Sequence, residues 1–342
     1  MQTPNTTTVA FLHTNSEHAS QLSRALRSRL PRYEIFSWLE GHEPPARDIH
    51  ILLALGAVRR DHLVLLPALE LVQTLSDGYE NVDLRAAAEL GIWVSNAPSG
   101  LTGNAESVAE FAVLLLIGAA RQLARAIRLQ ADPPAGTVAL HKSLEGKTLC
   151  VVGLGSIGRH LVPRLQAFGL TVVATDHHLE DPPPGVRVYP AHELTTAIAA
   201  ADYVVICVPG SAANENLFNA SVFGAMKRGS ILVNVARGNL IDEAALGDAL
   251  RSGQISAVGL DVLRFESPLQ PSPLRRFSQA LITPHLAGDT DLSLAGTVRY
   301  VGNLVDQWRD GIKPDSLVNL PDHPRRAPCN GGVALSHTRS SD

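Results

Sequence analysis

The chain has 342 residues, 45% of them apolar and 18% charged, with a formal net charge of −4. That length favours two domains over one, and the balance is that of a globular chain with a sizeable core. The small negative charge and the lack of a basic block exclude the electrostatic footprint of a nucleic-acid or anionic-membrane binder, leaving a small molecule as the expected partner. Cys150, Cys207 and Cys329 are odd in number, widely spaced and outside any zinc spacing, which points to free thiols in a reducing compartment. The opening "MQTPNTTTVAFLHTN" has neither a basic region nor a long apolar stretch, and no window reaches about 18 uninterrupted apolar residues. The expectation is a cytoplasmic protein.

Short apolar runs alternate with helical patterns from the start: "TVAFLH" at 8–13, "HILLAL" at 50–55, "LELVQTL" at 69–75 and "IWVSN" at 92–96. Strands separated by helices predict βαβ units and a parallel sheet. A long helix is predicted over 105–130, with a capping-type start at Asn104, a broad apolar stripe and an end at "ADPPAG". From 148 the alternation restarts as "TLCVVG", "TVVAT", "YVVICVP", "ILVNVA", "AVGLDV" and "ALITP", six runs spaced as in a doubly wound sheet. "DPPPG" at 181–185 falls inside that alternation and reads as a loop. An amphipathic helix from about 293 to 310 is placed to return to the first domain, and the polar residues 321–342 read as a disordered tail.

The first chemical signal is "TLCVVGLGSIGRHL". Gly153, Gly155 and Gly158 form G-x-G-x-x-G directly after a strand and opening a helix, and Asp176 closes the next strand. Gly153 permits a tight turn, Gly155 lets the backbone approach a pyrophosphate, and Gly158 lets helix and strand pack, while the helix N-terminus attracts phosphate charge. Asp176 is suited to ribose hydroxyls and repels a 2′-phosphate, so NAD is expected in preference to NADP. His177 and His178 follow it and read as solvated loop residues.

Arg237 ends "ILVNVARG", the fourth run of the second domain, where an open α/β sheet places its ligands. With 25 arginines against four lysines in the chain, its position is the evidence rather than its type. "GLDVLRFESP" brings Asp261 and Glu266 just past the fifth run, and "LITPHLAGDT" brings His285 past the sixth. Singly each has a structural explanation: an ion-paired sheet terminus, a solvated turn residue, a capped loop histidine. Together they form what reduction of a 2-oxo acid needs, a bidentate clamp for the carboxylate, a proton donor for the carbonyl oxygen and an acid that holds the imidazole charged.

The blocks "LEGKTLCVVGLGSIG", "FGLTVVATD", "LFNASVFGAMKRGSILVNVARGNLIDEAAL", "GLDVLRFESPL" and "TPHLAG" resemble the D-isomer-specific 2-hydroxyacid dehydrogenase family, over residues from about 50 to 320. The resemblance implies two Rossmann-like parallel-sheet α/β domains, one flavodoxin-like for substrate (1–101 with 291–320) and one for NAD (102–290). It implies that Arg237 binds the substrate carboxylate, that His285 is the general acid in reduction, and that Glu266 raises its pKa. It implies cofactor contacts at Gly153, Gly155, Ser156, Ile157, Gly158, Asp176, Val208, Pro209, Val235, Ala236 and Gly288, with Asp261 holding the nicotinamide carboxamide. It also implies substrate contacts at Asp77 and Gly78 in "LSDGYENVDL", and a homodimer formed through the helix from 105 and its flanks. No metal is implied.

The sequence departs from the family pattern in places. Asp77 stands where a small apolar residue is usual, and beside an anionic substrate its charge costs Coulomb energy unless it points away or meets a hydroxyl or amine. Cys207 occupies a position often held by histidine, and Leu263 and Ser267 replace a common Phe and Pro. Cys150 and Cys207 read most simply as small buried strand residues. Two other readings stay open: a phosphite-type dehydrogenase carrying the same Arg, Glu and His, and a nucleotide-sensing binding module like the C-terminal-binding-protein corepressors. Formate oxidation fits less well, since those relatives pair the histidine with a glutamine.

Overall fold

Largely apolar runs such as Ile51–Ala54 and Tyr203–Ile206 are buried along their whole length, as strands of a parallel sheet covered on both faces must be. The computed structural model describes residues 7–131, 140–266 and 271–327. Ser267, Cys329 and most of "ADPPAG" lie outside the described residues, as does the part of the expected tail beyond 327. The chain divides into two compact units, Met1–Gly103 with Asp291–Asp342, and Asn104–Thr290.

The first unit contains β1 (Val9–His13), α1 (Glu17–Arg29), β2 (Ile35–Leu39), β3 (Ile51–Ala54), α2 (Arg60–Val64), β4 (Leu71–Thr74), α3 (Leu84–Glu89), β5 (Trp93–Ser95) and α4 (Ser99–Thr102). Its strands are all parallel in the order β2-β1-β3-β4-β5, a flavodoxin-like arrangement. Ser16 starts α1 by accepting from the Ala19 N–H, and Asp83 does the same for α3 at Ala86. β2 was not among the runs read from the sequence; it is an edge strand in which Phe36 and Leu39 are only partly covered and Ser37 is exposed, so its apolar pattern is interrupted.

The second unit contains α5 (Asn104–Ala120), α6 (Leu123–Ala131), β6 (Thr148–Val152), α7 (Ser156–Ala167), β7 (Thr171–Asp176), β8 (Arg187–Pro190), α8 (Leu194–Ile198), β9 (Tyr203–Ile206), α9 (Ala220–Ala225), β10 (Ser230–Asn234), α10 (Glu243–Ser252), β11 (Ile255–Leu260) and β12 (Ala280–Ile282). α11 (Asp291–Arg309) then returns to the first unit. The sheet is parallel throughout, in the order β12-β11-β10-β9-β6-β7-β8, so the strand order reverses at the β6/β9 pair. β8 is the seventh strand where six runs were expected; with no fully buried residue at that edge, it carries no apolar signature.

The predicted single helix over 105–130 is two helices, α5 and α6, bent by 61° at a break where Gln122 adopts φ +47°. α5 earns its length by packing on the sheet: Gly259 of β11 has no room for a Cβ because the Leu115 side chain and backbone lie against it. Among the described residues no single helix is long and apolar enough to cross a membrane.

Residues 321–327 depart from the expected disordered tail. The Arg325 backbone N–H donates to the Gly91 carbonyl at 2.8 Å, and its guanidinium donates to the carbonyls of Leu66 (2.8 Å) and Leu69 (3.0 Å). Arg326 pairs with Glu70 at 3.0 Å and lies over the ring of Trp308, whose indole N–H donates to the same carboxylate oxygen. A polar sequence is thus ordered by four backbone carbonyls, those of Gly91, Leu66, Leu69 and Arg309, and one carboxylate that it satisfies.

Gly91 has φ +74°, and a Cβ there would collide with the His323 carbonyl oxygen. Gly91→Ala is expected to lower the unfolding free energy by about 2 kcal/mol, backbone strain plus clash. Gly41→Ala, at φ +84° with open space around it, should cost only about 1 kcal/mol. Urea unfolding of both variants checks the difference; equal losses would mean that the C-terminal segment does not pack there.

Candidate active site

The glycine turn lies at the reversal of strand order in the second unit. Gly153 follows β6 with φ +101°, and a Cβ there would press on Val208 Cγ1 (2.9 Å) and on the Cys207 carbonyl. Gly158, in the first turn of α7, has its missing Cβ occupied by the Gly153 carbonyl oxygen, so strand end and helix touch backbone to backbone. Gly155 is the N-cap of α7 and faces open space. Ser156 is exposed and Ile157 half-buried beside it. The two outer glycines are therefore required by the fold, while the middle one leaves bare backbone at a helix N-terminus, a cradle that suits a phosphate.

Asp176, at the end of β7, leans onto this turn: Oδ2 accepts the Leu154 N–H at 2.6 Å and Oδ1 accepts the His178 N–H at 2.8 Å. Each oxygen keeps acceptor capacity for a further donor. Val208 is half-buried and Pro209 exposed just past β9. These residues fit a dinucleotide.

The arginine at the end of β10 is delivered by a side chain. Asn234 is fully buried; its carbonyl oxygen accepts from the Ala236 N–H (3.0 Å) and its amide donates to the Arg237 carbonyl (2.9 Å), closing an Asx-type turn. Val235 and Ala236 are buried inside that turn. Arg237 then lays its Cβ and Cγ where a side chain on Gly210 would stand, and Nη1 donates to the Ala236 carbonyl at 2.8 Å. Gly238 follows because any Cβ there would collide with the backbone of Leu263 and Arg264. The Arg-Gly pair is thus one turn pressed against the next strand's exit.

His285 and Glu266 meet at that neighbouring exit, Nδ1 to Oε2 at 3.1 Å, each about half exposed (48% and 47%). The hydrogen bond to Glu266 raises the His285 pKa, against the opposing effects of burial and of the Arg237 charge. Burial pushes the Glu266 carboxyl up, but the hydrogen bond and charge of His285 outweigh it and leave the carboxyl below its ordinary value. Arg237 enters both balances, so the three residues expected from the sequence share one electrostatic neighbourhood.

Asp261, expected from the sequence at the nicotinamide carboxamide, is held within the chain by the segment that carries His285. It is 1% exposed, and its carboxylate accepts the Thr283 hydroxyl (2.6 Å) and the N–H groups of Leu286 (3.0 Å) and Ala287 (2.9 Å), while its carbonyl accepts the His285 N–H (2.8 Å). His285 itself sits at φ +55°, a left-handed conformation uncommon outside glycine. Asp261 therefore clamps the histidine loop. Gly288 is explained by packing, since a Cβ there would strike the Asn104 amide. Asn234 and Thr283 were missed in the sequence; an Asn ending a strand before Arg-Gly was the available signal for the first, and nothing local marks the second.

In the first unit, Asp77 is exposed but not idle. Its carboxylate accepts the Ser99 N–H and hydroxyl, each at 3.3 Å, and its carbonyl accepts the Asn96 amide at 2.8 Å. The Gly78 carbonyl accepts the Ser76 hydroxyl at 3.0 Å. Asp77 is thus turned to the start of α4 within its own unit. Burial pushes the Cys150 and Cys207 thiols up to about 12, so neither is a thiolate at neutral pH. Among the described residues no cluster could hold a metal ion.

Residues 113–287 match the model of the D-isomer specific 2-hydroxyacid dehydrogenase, NAD binding domain. The chain is 36% identical over 247 residues to a D-3-phosphoglycerate dehydrogenase of Mycobacterium leprae, covering 72% of this chain and 46% of that one. It therefore spans about half the length of such relatives. A glyoxylate reductase of Thermococcus onnurineus is 29% identical, over 84% of this chain and 90% of its own. Among solved structures, an NADPH-dependent glyoxylate/hydroxypyruvate reductase of Sinorhizobium meliloti, in complex with NADP and malonate, superposes with a TM-score of 0.78. It is 28% identical and covers 91% of this chain and 96% of its own.

The raised His285 pKa means that its share of the pair's stabilisation is complete below the unfolded histidine value and is lost as pH rises through the folded one. The lowered Glu266 pKa means that its share is present above the ordinary carboxyl value and lost as pH falls through the folded one. Glu266→Gln should therefore move the His285 imidazole titration, followed by NMR, to lower pH. An unmoved midpoint would show that Glu266 does not hold the imidazolium.

Proposed function

Because the chain belongs to the D-isomer specific 2-hydroxyacid dehydrogenase family, we propose that it is a nicotinamide-dependent oxidoreductase interconverting a small 2-oxo acid and its D-2-hydroxy acid. The observation that carries this is the Glu266–His285 hydrogen bond at 3.1 Å in the same electrostatic neighbourhood as Arg237.

The roles follow from charge and donor count. The Arg237 guanidinium offers a planar pair of N–H groups to an α-carboxylate, a bidentate match that also draws electron density from the adjacent carbonyl. His285, whose pKa its hydrogen bond to Glu266 raises, gives a proton to the carbonyl oxygen as the alcohol forms, and recovers it in the opposite direction. Glu266 stays ionised and keeps the imidazolium in place. A bound nicotinamide cofactor supplies the hydride in reduction and accepts it in oxidation. Gly153, Gly155, Ser156, Ile157 and Gly158 are the residues to hold its pyrophosphate and Val208 with Pro209 to bound its adenine side; Asp176 favours the ribose of NAD over the 2′-phosphate of NADP. Asp77 and Gly78 are assigned to substrate on resemblance alone.

Homodimerisation and a cytoplasmic location complete the reading. Exposed apolar side chains on α5 and α6, Leu114, Leu123 and Ile127, support the first; free thiols at Cys150 and Cys207 support the second.

Loss of NADH absorbance over glyoxylate, hydroxypyruvate, pyruvate, phenylpyruvate and branched 2-oxo acids tests the activity. Turnover is expected with at least one of them, and His285→Ala should lower kcat by about 10²- to 10⁴-fold. Reductive kcat/KM should fall as pH rises through the raised His285 pKa, and the oxidative direction should rise over the same range. NADH bound without turnover of any 2-oxo acid would move the reading to phosphite oxidation or to a nucleotide-sensing module.

Arg237→Lys keeps the charge but loses the fork. A raised KM for the oxo acid, about tenfold or more, with NADH affinity unchanged is the expected result; unchanged KM would remove Arg237 from the carboxylate site.

A further inference from the structure

Arg264 lies past β11, two residues before Glu266, and its side chain is only 25% exposed. Its Nη1 pairs with Glu215 Oε1 at 2.6 Å. Its Nη2 donates to the Asn216 side-chain oxygen and to the carbonyls of Asn239 (3.1 Å) and Ile241 (3.3 Å). The Arg264 backbone N–H donates to Glu243 Oε1 at 2.9 Å, and Glu243 Oε2 takes the Ser272 hydroxyl at 2.6 Å. One side chain leaving β11 thus fastens the loop after β9 and the loop after β10. Its acceptors point in several directions at once, which a planar fork of five donors can serve and a lysine's compact ammonium cannot.

The fastening runs on to the arginine of the site. Glu215 Oε2 accepts the Asn239 amide at 3.3 Å, and the same amide donates to the Gly210 carbonyl at 3.0 Å. Gly210 is the floor on which the Arg237 Cβ and Cγ rest. A second path is direct, because the Gly238 turn that presents Arg237 is pressed against the Leu263 and Arg264 backbone. In the other direction, Arg264 anchors the segment whose next-but-one residue is Glu266. Beyond its own strand's exit, every acceptor its side chain touches is on a strand-end loop and none is inside the sheet, so its loss would loosen the loops and leave the sheet intact.

Resting on the function proposed above, we propose that Arg264 is a positioning residue: through Glu215, Asn239 and Gly210 it sets Arg237, and through its own segment it sets Glu266. Carboxylate anchoring and proton delivery are then held in register by one guanidinium.

Arg264→Lys and Glu215→Gln test this, the second being a mild change at an exposed partner. With NADH affinity and melting temperature close to wild type, both should raise KM for the oxo acid, Arg264→Lys by about tenfold. Arg264→Lys should also shift the high-pH limb of reductive kcat/KM to lower pH, as Glu266 loses its placement on His285. A merely structural cross-link would lower the melting temperature and leave KM and the pH limb where they were, and that result overturns the proposal. If the wild-type protein reduces no 2-oxo acid, the functional reading fails on its own. The positioning role is then decided by NMR titration of His285, whose midpoint falls in Arg264→Lys if the role is real and stays put if it is not.

Discussion

A carboxylate removed from water must be given hydrogen-bond donors by the chain, or it costs several kcal/mol. Asp261, 1% exposed at the exit of β11, is in that position, and its donors are the Thr283 hydroxyl and two successive backbone N–H groups at Leu286 and Ala287. Satisfying it bends residues 283–287 around one side chain. The bend places His285 at φ +55°, a conformation histidine visits only when its surroundings require it, at a cost of roughly 1–3 kcal/mol. The imidazole's reach to Glu266 depends on that bend, so a buried acid governs where the histidine proposed to carry the proton stands.

A parallel sheet brings all its carboxyl ends to one edge, because every crossover helix returns the chain to the opposite one. The exits of β6, β9, β10, β11 and β12 in the second unit therefore share an edge. What separates a crowded edge from a site is the spacing between loops, and here backbone contacts set it: Gly158 on Gly153, Gly153 on Cys207, Gly238 on Leu263 and Arg264. Each is a place where a methyl group would push two exits apart. The glycines of the nucleotide turn and the glycine after Arg237 obey one rule.

How much of this was readable beforehand depended on whether the signal was local. The glycine turn, the buried runs of β1, β3, β6, β9 and β10, and the trio Arg237, Glu266 and His285 carry residue types and spacings that point to one structure. The edge strands β2 and β8 do not, because partial exposure breaks their apolar pattern. The break at Gln122 was hidden because the apolar stripe continues through it into α6. Residues 321–327 looked like tail because arginines are polar, whereas Arg325 and Arg326 are spent on the Leu66 and Leu69 carbonyls and on Glu70. For the edge strands the missing information was a covering layer, and for residues 321–327 it was partners more than two hundred residues away.

By itself the sequence determined the periodicity that makes two parallel α/β sheets, the glycine turn opening a helix, the acid closing the following strand, and which side chains stand past which strand ends. These follow from short-range rules: backbone freedom, alternation and the apolar content of four to six consecutive residues. The tertiary structure alone decided that Asp261 is a clamp for the histidine loop, that Asp77 turns to Ser99, and that Arg264 joins three exits. The physical reason is that a polar side chain's role is set by which donors and acceptors reach it, and those arrive from other loops once the sheet has closed the distance.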